Sequence, residues 1–319
     1  MISMRNLDPS LKAMLGTGAI LGSSDEHRIG LAAGPLESYW HEDAAIPTDK
    51  MHNTITDAYN NMTTARNDYA ILSPESHTQG ATITWAKNMT HLIGAYPEAF
   101  MNQRSRIGHN ANFSPMLTVS GYGNLFANLY FMYGRGDAAN LNLLNVTGNR
   151  NSFHNCHFGS PMNATEGDEA TCYTLQVSGQ ENYFKNCVIG VDTIMRSTTN
   201  APINFASGAA RNVFENCLIV MAVDNAGAFF MKTQSGTDRF QYFKNCQFIA
   251  FSANMATPIT YAISHGATTT SFLYFDSKCS FVGATDIDAA GNEAVVYVGS
   301  VPYIAAATGN LIAVNPDVS

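Results

Sequence analysis

Four acidic residues are the first candidates for chemistry in this chain of 319 residues: Asp192, Glu215, Asp224 and Asp238. Hydrolysis of a glycosidic bond with inversion needs two carboxyls roughly 6.5–9.5 Å apart, one protonating the leaving oxygen and one activating water. Asp192 lies five residues after Cys187 and Asp224 seven after Cys217, so the two need not face the same way. The nine histidines form no His-x-His or His-Glu-x-x-His pair, and no metal site or cofactor is expected from them. An Arg-Gly-Asp at 135–137 could be an exposed adhesive loop, and "QRSRIGH" at 103–109 could place Arg104 and Arg106 on a loop facing an anion. A repeat turn and an ordinary surface loop account for these two better. No catalytic residue, and no hydrolase or lyase activity, is expected.

Cysteine carries the other reactive possibility. None of the six forms a Cys-x-x-Cys pair, which argues against zinc and against a redox dithiol. Five of them, Cys156, Cys187, Cys217, Cys246 and Cys279, instead recur at nearly even spacing. The first four close near-identical phrases: "NSFHNC", "NYFKNC", "NVFENC" and "QYFKNC". "LNVTGNRNSFHNC", "LQVSGQENYFKNC" and "INFASGAARNVFENC" share an apolar-x-apolar run, a Gly-containing turn, an Asn, a Phe strand and Asn-Cys, and "MKTQSGTDRFQYFKNC" is a later copy with an insertion. "LTVSGYGNLFANL" is an earlier copy with Leu129 in the Cys place. The period is close to 30 residues and the local alternation has period two, which excludes helix-pair repeats.

A repeat of this length holding several short strands closes one turn of a right-handed, single-stranded parallel β-helix, an all-β fold. Coils stack at about 4.8 Å, so equal positions become ladders. Phe126, Phe153, Phe184, Phe214, Phe243 and Phe275 should stack in the core, each contributing roughly 1.5–3 kcal/mol by area. Asn128, Asn155, Asn186, Asn216 and Asn245 should sit at a turn, with amides bonded to one another as in cross-β ladders. The thiols should be small buried hydrophobes, since parallel side chains fit the disulfide dihedral poorly. The residue between Phe and Asn is His154, Lys185, Glu215 and Lys244 in turn, a mixed-charge column that reads as solvated. Glu215 then has two lysines as column neighbours, which suits surface pairing better than acid catalysis.

The ends need caps, because open edges recruit other chains. Residues 51–67 should form a capping helix, with Asn53 or Thr54 as N-cap and Ile55, Ala58, Tyr59, Met62 and Ala65 on one stripe. The β-helix should run over 68–300, and 301–319 should form a final layer or a subunit contact. Residues 1–50 read as an extended N-terminal assembly arm. Leu7, Leu11, Met14, Leu15, Ile20 and Leu21 would order it against a neighbour.

Charged residues are only 13% of the chain, about half the usual share, and the net charge is −8. An acidic chain of this kind argues against nucleic acid as a partner. No segment approaches 18 continuous apolar residues, so no membrane span is expected, and the N-terminus does not read as a signal peptide.

The stretch "ITDAYNNMTTARNDYAILSPESHTQGATITWAKNMTHLIG" resembles the start of pectate-lyase-like β-helices, and "ATITWAKNMTHLIGAYPEAFMNQRSRI" looks like a phage virion protein of the β-helical, shell-decorating type. That resemblance implies a homotrimer standing on the major capsid protein of a tailed phage, on the capsid exterior, and stabilising the shell as a decoration or cement protein. Related trimeric β-helices are tailspikes that bind or degrade host surface polysaccharide, which is the alternative expectation.

Overall fold

The computed structural model describes residues 25–31, 47–138, 141–252, 258–266, 270–288, 295–298 and 303–305. The chain is a parallel β-solenoid of about seven turns, with about 29 residues per turn and little helix. Three sheets run along it, and every pairing within them is parallel. The first has eleven strands and carries the Phe positions, from Glu26–Ile29 through Ser152–His154, Tyr183–Lys185 and Asn212–Glu215 to Val295–Val298. The second has ten and includes His157–Gly159, Val188–Ile189 and Leu218–Val223. The third has seven, from Ile83–Trp85 to Ile263–His265.

The Phe-x-Asn-Cys phrase makes the corner between the first two sheets. Phe126, Phe153, Phe184, Phe214, Phe243 and Phe275 are in register and fully buried, with successive ring centroids 4.6–5.1 Å apart and nearly parallel planes. The corner requires a left-handed residue, and Asn supplies it, with φ of 60°, 51°, 53°, 54° and 53° at Asn128, Asn155, Asn186, Asn216 and Asn245. Amides join along this column: Asn155 donates to Asn128 at 2.9 Å, Asn216 to Asn186 at 3.3 Å, and Asn245 to Asn216 at 2.8 Å. Each thiol points inward and donates to the Phe carbonyl one coil back, as Cys187 does to Phe153 at 3.3 Å and Cys217 to Phe184 at 3.4 Å. All six cysteines are free and buried.

A second ladder lies at the corner between the third and first sheets. The backbone N–H groups of Asn124, Asn151 and Asn182 donate to the amide oxygens of Asn151, Asn182 and Asn212 at 2.9–3.0 Å. The Nδ2 groups of Asn151, Asn182 and Asn212 donate back to the carbonyls of Gly121, Gly148 and Gly179 at 3.0–3.1 Å. Glycine is required there because the coils touch: a Cβ on Gly179 would lie 1.8 Å from the Gly148 carbonyl oxygen.

The helix is shorter than the 51–67 segment, covering Ile55–Asn61 with Thr54 as N-cap. It stops because the Thr63 N–H is taken by the Asp68 carboxylate and Ala65 turns left-handed at φ 62°. Ile55, Ala58 and Met62 are buried over the first coil. Glu26–Ile29, inside the segment expected to be an arm, is instead a rung of the first sheet, paired with Asp68–Leu72. The register demands it: His27 continues the inward column of Ala70, Leu92 and Phe126. The arm candidates Leu7, Leu11, Met14, Leu15, Ile20 and Leu21 lie outside the described residues, as do 306–319.

Candidate functional site

The structure places the four acids in separate surroundings. Arg196 is in register with Val223, so Asp224 follows one step later, while Asp192 sits in the exposed excursion before Met195. Asp238 pairs with its neighbour Arg239 at 3.4 Å. Glu215 accepts from the Tyr183 hydroxyl and pairs with Lys244 at 3.0 Å. The Tyr183 hydrogen bond, then Lys244, hold its carboxyl below the usual range, so it stays ionised and is a poor general acid. Burial and Glu215 push the Tyr183 hydroxyl up, so it is not a ready nucleophile either.

The third sheet exposes a different chemistry. Thr84, Thr118, Asn145, Gln176, Asn204, Lys232 and Ser264 are in register on its outer side. That column has no carboxylate. Asn204 donates to Gln176 at 3.1 Å, so part of it is an amide ladder.

Aromatic and charged side chains also meet on the outer side of the Phe sheet. Strand alternation turns the residues flanking each Phe outward. The column before Phe reads Ser152, Tyr183, Val213, Tyr242 and Tyr274, and the column after it reads His154, Lys185, Glu215, Lys244 and Asp276. The three tyrosines are half-buried, and the Tyr183 hydroxyl is taken by Glu215. His154 meets Tyr183 edge to face at 5.7 Å, and Phe240 meets Tyr274 likewise at 5.9 Å. Phe272, 44% exposed, extends the apolar strip.

A charged border runs along the neighbouring corner. Glu181 bridges Arg150 at 2.6 Å and Arg211 at 2.8 Å, and Arg150 and Arg239 remain largely exposed. The Asp276 carboxylate accepts from the backbone N–H groups of Asn245 and Lys278. The column His154, Lys185, Glu215, Lys244 that reads in the sequence as merely solvated is thus one edge of an aromatic strip. Sequence reading missed Tyr183, Tyr242 and Tyr274, whose signal was the residue before each Phe, because Ser152 and Val213 interrupt the column.

The other motifs are structural. Glu166, fully buried, accepts from the N–H groups of Arg135, Gly136 and Asp137 at 2.7–3.2 Å, and this fixes the Arg-Gly-Asp loop against the next coil. Arg104 precedes, and Arg106 opens, the strand Arg106–His109; Arg106 is therefore not in a loop. Arg196 is buried and spends its guanidinium on the carbonyls of Cys172 and Ser160, on Asn200 and on Thr174. Among the described residues no cluster of His, Cys, Asp and Glu could hold a metal ion, and no helix is long and apolar enough to cross a membrane.

No family model matches the chain, and no curated protein does. Solved structures do. A pectin methylesterase mutant in complex with a hexasaccharide aligns with a TM-score of 0.57 and 15% identity, over 89% of this chain and 91% of that one. Pectin methylesterase PemA from Erwinia chrysanthemi aligns with a TM-score of 0.57 and 15% identity, over 93% and 92%. A pectate lyase, Pel9A, aligns with a TM-score of 0.49 and 13% identity, over 90% and 79%. The chain has the parallel β-helix fold of the two pectin methylesterases, and at these identities the likeness extends to the fold alone.

Proposed function

We propose that this chain is a polysaccharide-binding β-helix that does not cleave its ligand and that works as a homotrimer on a virion, the receptor-binding alternative rather than shell decoration. The observation that carries the reading is the aromatic strip on the outer side of the Phe sheet, Tyr183, Tyr242 and Tyr274 bordered by charged side chains. Flat aromatic surface edged by hydrogen-bonding groups suits sugar rings, which present an apolar face and a polar rim. The capsid-decoration expectation rests on a resemblance and on the segment 1–50, most of which lies outside the described residues, and no feature of the solenoid favours it.

Non-cleavage is supported by the environments of the acids. Glu215 is engaged by Tyr183 and Lys244, Asp238 by Arg239, and Asp192 and Asp224 occupy different columns. Incubation with bacterial surface and plant cell-wall polysaccharides, followed by reducing-end, methanol-release and unsaturated-product assays, tests this. Retention of the polymer without turnover is expected. Turnover abolished by Asp192→Ala or Asp224→Ala would overturn it.

A further inference from the structure

The strip has a polarity that selects among glycans. Five cations border it: Arg150, Lys185, Arg211, Arg239 and Lys244. Four carboxylates do so too: Glu181, Glu215, Asp238 and Asp276. Cations therefore hold a slight majority here, in a chain whose net charge is −8. The carboxylates are also the more committed partners. Glu181 is shared by two arginines. Glu215 is held by Tyr183 and Lys244. Asp276 accepts backbone N–H groups. Lys185, by contrast, makes no ion pair among the described residues, and Arg150 and Arg239 have side chains 71% and 65% exposed. These three are the least committed cations along the strip and its border.

We infer that the outer side of the Phe sheet between Ser152 and Asp276 binds an acidic polysaccharide laid along the solenoid axis, and this deepens the polysaccharide-binding reading on which it rests. Sugar rings pack on Tyr183, Tyr242 and Tyr274, and Val213 leaves a shallow gap between the first two. Carboxylates of the glycan meet Lys185 and the exposed ends of Arg150 and Arg239, as charge-assisted hydrogen bonds. Coils stack at about 4.8 Å, so donors recur along the axis with Glu181 and Glu215 between them, and a polymer gains by engaging several at once.

The test is affinity electrophoresis of the full chain in gels containing polygalacturonate, alginate or dextran, at low and at high salt. The proposal predicts retardation by the two acidic polymers, weakened by salt, and little by dextran. Tyr242→Ser and Lys185→Ser should each weaken retardation about ten-fold, the loss of roughly one aromatic or ionic contact. Lys232→Ser, in the outer column of the third sheet, should not. Thermal melts identify any variant that has lost its fold, and Tyr242→Phe keeps the ring where Tyr242→Ser proves unstable. Retardation by acidic polymers that survives both strip substitutions would overturn this site while leaving polysaccharide binding intact. Retardation by dextran alone would overturn the acidic class. No retardation by any polymer would overturn the polysaccharide reading itself.

Discussion

Asn182 shows how a single side chain earns its place in a stacked fold. Its amide oxygen accepts the Asn151 N–H and its Nδ2 reaches the Gly148 carbonyl, both one coil back and both buried. Asn182→Ala strands these groups and should cost about 1–3 kcal/mol for each one left unpaired. Asn186→Ala, at a partly exposed turn with φ 53°, should cost about 1–2 kcal/mol through the left-handed backbone. Lys185→Ala should stay within about 0.5 kcal/mol. Chemical denaturation of the three variants checks the order. Histidine adds a pH dependence. Burial pushes His27, His91 and His157 down to about 4, and His27 lies 2.9 Å from the His52 ring. The unfolded chain, with histidines near 6.5, then binds more protons than the folded one between about 6.5 and 4. Stability should be full above pH 6.5 and fall as pH drops toward 4, read as a declining melting temperature over that window.

At the scale of the elements, the corner between first and second sheets was legible because Phe, Asn and Cys each need a different thing and recur together. Phe fills the core, Asn takes the left-handed backbone and Cys is small enough to turn inward. The other corner was less legible, although its Asn recurs at 124, 151, 182 and 212 before Gln241 replaces it. Its partners are the carbonyls of Gly121, Gly148 and Gly179, and nothing in a sequence shows which carbonyl a side chain reaches. Gly179→Ala would drive a Cβ into the Gly148 oxygen and should cost roughly 3 kcal/mol, seen as a lower denaturation midpoint. The outward strip was illegible for a further reason. Tyr183, Tyr242 and Tyr274 gain meaning only once register sets them beside Lys185, Glu215 and Lys244. The N-terminal boundary was misplaced because Glu26–Ile29 joins the sheet across the intervening residues 30–67 to Asp68–Leu72, with no repeat phrase to mark it.

The whole molecule is a stiff prism whose three outer sides differ. One is a polar column without carboxylates, and another carries the aromatic and charged strip. The homotrimer expected from the resemblance would bury part of this surface, and multi-angle light scattering should give three times the 34.5 kDa chain mass. A monomer at micromolar concentration would contradict that. The likeness to pectin methylesterases accounts for the solenoid and leaves the choice of face to this chain's own residues. A structure of the chain with an acidic oligosaccharide tests that choice most directly. Density for sugar rings over Tyr242, with carboxylates within hydrogen-bonding distance of Lys185 or Arg239, is the predicted result. Ligand seated instead on the Thr84 to Ser264 column of the third sheet would contradict it.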